Sequence, residues 1–169
     1  MSHQYREAGP GDGAAVSALF QAAFIDTFAH LYSKRNLDLF LSSKTADAFE
    51  QQVTSPEYAF RLAEEDGRLI GYIKMGPNEL PGDTPEGTWE LHQLYLTPDA
   101  KGRGIAQDLM DWGFAEARRR GFKHLQLSVF VDNQRARRLY DKIGFEEVGQ
   151  FQFMVGDHAD DERLMRIAL

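Results

Sequence analysis

Apolar residues along the chain recur in two periods, one near 3.6 residues and one of two residues. Val16, Leu19, Phe20, Ala23, Phe24, Thr27 and Phe28 repeat at three- and four-residue intervals, the pattern of a helix with one buried face. A turn over 9–13, with Asp12 as N-cap, would start this helix, and it would run to about Ala29. Shorter helices are expected at 33–41 and 46–53, and a short first strand at 4–8. Residues 58–64 and 68–75 read as two strands joined through Glu65-Asp66-Gly67, a tight-hairpin signal. Pro77, Pro81 and Pro85 make 76–87 a loop.

The second half switches period repeatedly. Residues 88–96 and 123–131 read as strands, and 102–120 as a helix stopped by Gly121. In 133–143, Ala136, Leu139, Tyr140 and Ile143 fall on one helical face, and Gly144 ends the run. Strands around 145–154 and 163–168 close the chain, which leaves the acidic run 157–162 as a solvated loop between them. The order β-α-β-α-β in the middle predicts an α/β (α+β) fold, a mixed sheet with helices on both faces. No repeat or linker divides the chain, so 1–169 is read as one domain.

Composition narrows the class. The 169 residues are 43% hydrophobic and 27% charged, which is ordinary globular usage. No run approaches the ~18–20 apolar residues expected of a membrane span. The first residues lack the basic-then-apolar layout of a signal peptide, so a soluble, cytoplasmic protein is expected. With no cysteine, disulfides, zinc–thiolate sites and a cysteine nucleophile are excluded. A net charge of −7 argues against nucleic-acid or anionic-membrane partners. The charge is uneven, because 101–142 holds ten Lys/Arg against five acids and leaves the rest of the chain at −12. Basic residues near helix ends account for such a segment as readily as an anionic ligand does.

The stretch from Leu94 to Ala106, LYLTPDAKGRGIA, is a strand, a glycine-containing loop and a helix start. Glycines allow close backbone approach, and the first helical N–H groups lack internal partners, so this is a candidate anion cradle. It lacks the ending of an ATP-binding P-loop and the spacing of a dinucleotide-binding turn. By itself such a turn is weak evidence for phosphate binding.

Two motifs extend that reading. Lys101-Gly-Arg-Gly-Ile-Ala106 resembles the pyrophosphate loop of the GNAT superfamily of acetyl-CoA-dependent N-acetyltransferases, with Lys in its first position. Glu90-Leu-His-Gln-Leu-Tyr-Leu96 is similar to that family's cofactor-flanking strand. Asn133, Ala136, Leu139-Tyr140 and Gly144-Phe145 are similar to its second signature. The resemblance covers about 58–169 and implies a splayed sheet of about seven strands and acetyl-CoA as donor, with no metal. It assigns the backbone of Leu94, Tyr95 and Leu96 to the pantetheine arm and the N–H groups of Gly102, Arg103, Gly104, Ile105, Ala106 and Gln107 to the pyrophosphate. The Asn133 side chain would bond the pantetheine region, and Ala136 of the second signature belongs to the same cofactor-binding set. Lys142, Arg135, Arg137 or Arg138 would meet the 3′-phosphate. Tyr140 would protonate the leaving thiolate, although a purely core aromatic fits its position too.

Transfer to an amine needs the neutral nitrogen, and with a pKa near ~10.4 only about one amine in 2,500 is neutral at pH 7. A general base therefore helps. Alternation puts Glu90, His92 and Leu94 on one strand face unless a bulge intervenes. Glu90 is the first candidate and His92 the second; a third family position for the base is Ser128 here, a poor base, which returns the role to Glu90 or to a water chain. Within the superfamily, Phe24-Ile-Asp-Thr-Phe28, Tyr32-Ser33 and Phe151-Gln-Phe-Met-Val-Gly-Asp157 resemble bacterial polyamine acetyltransferases. That resemblance implies a small-molecule amine held by Asp26, Tyr32 and Asp157 in an acidic, aromatic cleft. A protein or peptide amine, or a non-catalytic acyl-CoA sensor, are the alternatives. Family analogy also raises a homodimer.

Overall fold

In the computed structural model, which describes residues 2–169, the two periods separate into a sheet and its flanking helices. Seven strands form one mixed sheet: β1 (Gln4–Glu7), β2 (Ala59–Glu65), β3 (Arg68–Pro77), β4 (Thr88–Leu96), β5 (His124–Phe130), β6 (Glu146–Val155) and β7 (His158–Ala168). Their spatial order is β1-β2-β3-β4-β5-β7-β6. Three helices, α1 (Gly13–Phe28), α2 (Lys34–Leu41) and α3 (Ala46–Val53), precede β2, while α4 (Ile105–Arg119) and α5 (Gln134–Ile143) bracket β5.

Each sheet face has its own core. Val16, Leu19, Phe20 and Phe24 of α1 pack with Phe49 of α3 against Phe60, Leu62 and Tyr72. On the other face, Ile105, Leu109, Met110 and Phe114 of α4 meet Ile73, Met75, Trp89 and Leu125, with Tyr140 of α5 joining them. This burial of alternate strand residues on both faces is what the mixed-sheet expectation requires.

Four sequence expectations need correction. The acidic run 157–162 is mostly strand, because β7 begins at His158 and only the Gly156-Asp157 turn separates it from β6. Asp12 does not cap α1 with its side chain; its carboxylate accepts instead from Gly9 N–H at 2.7 Å and from Arg6. Leu94 packs on the α4 side, apart from Glu90 and His92, because the β3–β4 register shifts between Lys74 and Met75. Finally, Gly13–Leu31 is long and apolar enough to pass for a membrane span, with a mean hydropathy of 1.3. Its apolar character is used by the α1 core face and by a cavity wall containing Ala18, Ala22 and Ala23.

The feature that positions the site is a split in the sheet. β4 and β5 run parallel but pair only over Thr88–Glu90 and His124–Gln126. Beyond Glu90, β4 keeps β3 on one side and has no strand on the other, while β5 continues along β7.

Candidate active site

The split opens into a cavity of about 1450 Å³ that reaches from the start of α4 to the α1–α2 face. At one end lies the glycine loop. Gly102 and Gly104 have φ of +76° and +81°, a left-handed conformation in which side chains are strained. A Cβ at either would touch nothing, so the backbone, not crowding, demands glycine. The first α4 bond runs from Asp108 N–H to the Gly104 carbonyl at 3.1 Å, which leaves Ile105, Ala106 and Gln107 N–H groups without intrahelical partners. No side chain caps this terminus. Lys101, Gly102, Gly104, Ile105, Ala106 and Gln107 all line the cavity. Free N–H groups, positive φ and open space together fit a pyrophosphate.

Further along the opening, Leu94, Tyr95, Leu96, Asn133, Ala136, Tyr140 and Lys142 line the same cavity. Asn133 caps α5, its side-chain oxygen accepting from Ala136 N–H at 3.3 Å. The basic residues divide: Arg135 and Arg138 line the cavity, whereas Arg137 donates to the Val131 carbonyl at 2.8 Å. Arg103 turns away to pair with Glu65, so only its backbone remains available to the loop. Tyr140 is buried edge-on against Phe145, and burial pushes its hydroxyl upward, so it holds its proton throughout the neutral range.

Glu90 is buried at 6% exposure near the end of the β4–β5 ladder. One oxygen accepts from Glu79 N–H at 2.9 Å, and the other lies 3.4 Å from Nδ1 of His92. Burial lifts its carboxyl to about 7, against the opposing pull of the Glu79 N–H and the Lys74 ammonium. His92 donates its Nε2–H to the Pro77 carbonyl at 2.8 Å, and burial lowers it to about 4. It therefore faces Glu90 as a neutral ring with a free lone pair, a setting that suits the protonated carboxyl. Lys74, held over the rings of Phe49 and Tyr58, is lowered to about 8 by its burial and by the Lys44 charge.

At the α2 side, β5, β6 and β7 present a different set. Glu162 lies opposite Phe130 and Phe151, and Asp160 opposite Phe153, so these side chains share one face. The Tyr32 hydroxyl donates to Asp160, and the Tyr32 ring stacks on Phe24 at 5.9 Å. Burial, with help from the Asp160 charge, lifts the Glu162 carboxyl to about 8. Asp26 lines the cavity. Asp157 does not; its carboxylate accepts from Asn36 at 2.6 Å and ties the β6–β7 turn to α2. Sequence reading missed Asp160, Glu162, Lys44 and Lys74. For the two acids a signal was present: Asp160, Glu162 and Leu164 alternate as strand positions do.

Comparison with known proteins agrees with this fold. The sequence model described as the Acetyltransferase (GNAT) family matches residues 20–145. An N-acetyltransferase of Mycobacterium bovis, itself without assigned substrate, is 36% identical over 117 residues, 69% of this chain and 71% of that protein. The PaiA N-acetyltransferase of Thermoplasma acidophilum, solved with coenzyme A, superposes with a TM-score of 0.80 at 19% identity over the whole of both chains. YncA of Salmonella typhimurium, solved with acetyl-CoA, gives 0.71 at 23% identity, covering 99% of this chain and 94% of that one.

Proposed function

The chain belongs to the Acetyltransferase (GNAT) family and is an acetyl-CoA-dependent acyltransferase acting on an amine, and from that premise we propose that its acceptor is a small cationic amine of the polyamine type, with Glu90 as general base and Tyr140 as general acid. The observation that carries the reading is the single cavity that joins the cradle to a buried carboxyl poised near neutrality.

Bound at the opening, acetyl-CoA supplies a thioester carbonyl open to attack. The N–H groups of Gly102 to Gln107 would hold the pyrophosphate, and the unpaired edge of Leu94–Leu96 would take the pantetheine amides as it would a neighbouring strand. Glu90, ionised above about 7, takes the ammonium proton and frees the nitrogen lone pair. As the new N–C bond forms and the C–S bond breaks, Tyr140 gives its proton to the sulfur, and the second proton that the nitrogen sheds in becoming an amide leaves through water and restores the tyrosine. His92 acts as a positioning residue, since its ring is neutral and fixed by Pro77. The general base is worth about 10²–10⁴-fold in reactions of this kind.

Cation preference rests on the acceptor half of the cavity. Asp26, Glu79, Glu90, Asp160 and Glu162 outnumber Lys44 and Lys74 there, and both lysines lie over aromatic rings. Thiol release with saturating acetyl-CoA and a panel of amines tests the proposal. Spermidine and short aliphatic diamines should turn over faster than peptide N-termini. Activity on peptides alone would replace the polyamine reading with a protein amine, and acetyl-CoA binding without thiol release would replace it with a sensor.

A further inference from the structure

Two carboxyl oxygens in the cavity wall have no hydrogen-bond partner: Oδ1 of Asp160 and Oε2 of Glu162. Asp160 is only 4% exposed. Its other oxygen accepts from Tyr32, and His158 Nε2 lies 3.2 Å from Oδ1 without hydrogen-bond alignment. An unpaired buried carboxyl is costly, and such groups are normally satisfied. Among the described residues no lysine or arginine pairs with either acid, and His158 is the one ring nitrogen beside Asp160. Instead Phe130, Phe151 and Phe153 stand beside the acids on the sheet face, Phe24 and Phe28 line the same cavity, and Tyr32 reaches Asp160. Phe28 meets Phe130 edge-on at 6.1 Å, which joins cover to sheet.

Aromatic faces around a carboxylate pair are the complement of an organic ammonium, whose charge the acids offset and whose methylenes the rings bury. A metal ion fits less well: no group of three or more metal-ligating His, Cys, Asp or Glu exists among the described residues. The site is distinct from Glu90, which takes its contacts from Glu79 and His92 on the other side of the cavity.

We propose that Asp160, Glu162 and Tyr32 form a second cation subsite that holds the non-reacting ammonium of a diamine or polyamine, so that the enzyme selects acceptors carrying two positive charges. The subsite rests on the acetyl-transfer reading for its role, but its ligand binding can be measured without turnover. The raised Glu162 carboxyl agrees with a group waiting for a counter-charge. An incoming ammonium would hold it ionised and release its proton.

The test compares butylamine, putrescine and spermidine on the wild type, Glu162→Gln and Glu162→Asp. For the wild type, kcat/KM for the diamine should exceed that for the monoamine by about tenfold or more. Glu162→Gln should bring the ratio close to one, and Glu162→Asp should restore much of it. In parallel, calorimetric titration of spermidine into the coenzyme A complex should show about tenfold weaker binding for Glu162→Gln. Equal losses for monoamine and diamine would overturn the subsite, as would unchanged spermidine binding. Spermidine binding that depends on Glu162, without thiol release from any amine, would uphold the subsite and remove the catalytic reading.

Discussion

Glu90 and Tyr140 are both buried, yet burial serves them in opposite ways. For Glu90 it moves the carboxyl from its ordinary value to about 7, where a base is strong enough to take a proton and still ionised half the time. Activity should therefore rise with pH through about 7. In Glu90→Gln that limb should vanish and kcat should fall about 10²-fold; a pH–rate curve of unchanged shape and height would assign the base elsewhere. For Tyr140, burial holds the proton on the hydroxyl through the neutral range, as the proposed acid requires. Tyr140→Phe should lower kcat by about tenfold or more with little change in acetyl-CoA affinity, read from initial rates and a binding titration. Glu162 carries the same desolvation without any partner. Its raised value favours the folded state at low pH, and that contribution is lost as pH rises through about 8.

At the scale of elements, the loop before α4 depends on one backbone conformation. Gly104 has φ +81°, and a side chain there costs about 1–2 kcal/mol. Gly104→Ala should raise the KM for acetyl-CoA about tenfold while leaving kcat nearly intact; an unchanged KM would move the cradle off this turn. Elements with strong periodicity were legible from sequence, α1, α4, α5 and the Asp66-Gly67 hairpin among them. So was the glycine loop, whose residues are contiguous. The start of β7 was not, because Asp160 and Glu162 are charged residues on a buried face, and polarity there reads as loop. Leu94 was misplaced for another reason. One extra residue at the β3–β4 irregularity reverses the facing of everything beyond it. The tie between Asn36 and Asp157 joins positions 121 apart, a separation over which local pattern carries no signal.

For the whole molecule, the uneven charge acquires a location. The basic surplus of 101–142 contributes Lys101, Arg135, Arg138 and Lys142 to the donor half of the cavity, and the acidic remainder contributes Glu90, Asp160 and Glu162 to the acceptor half. The short β4–β5 ladder has a mechanical consequence. Three paired positions act as a rivet at one end of two blades, β1–β4 and β5–β7, and nothing else in the sheet fixes the angle between them. Glu90 rides on one blade, and Asp160 and Glu162 on the other. A cofactor that bonds along Leu94–Leu96 supplies the missing rungs, so it should slow hydrogen exchange at the β4 amides that point away from β3. At a hundredfold excess over its Kd it should also stabilise the fold by about 2.7 kcal/mol. The span between the two carboxyl stations, and with it the length of amine that bridges them, follows from the angle at which the shared core under α4 holds the wedge open.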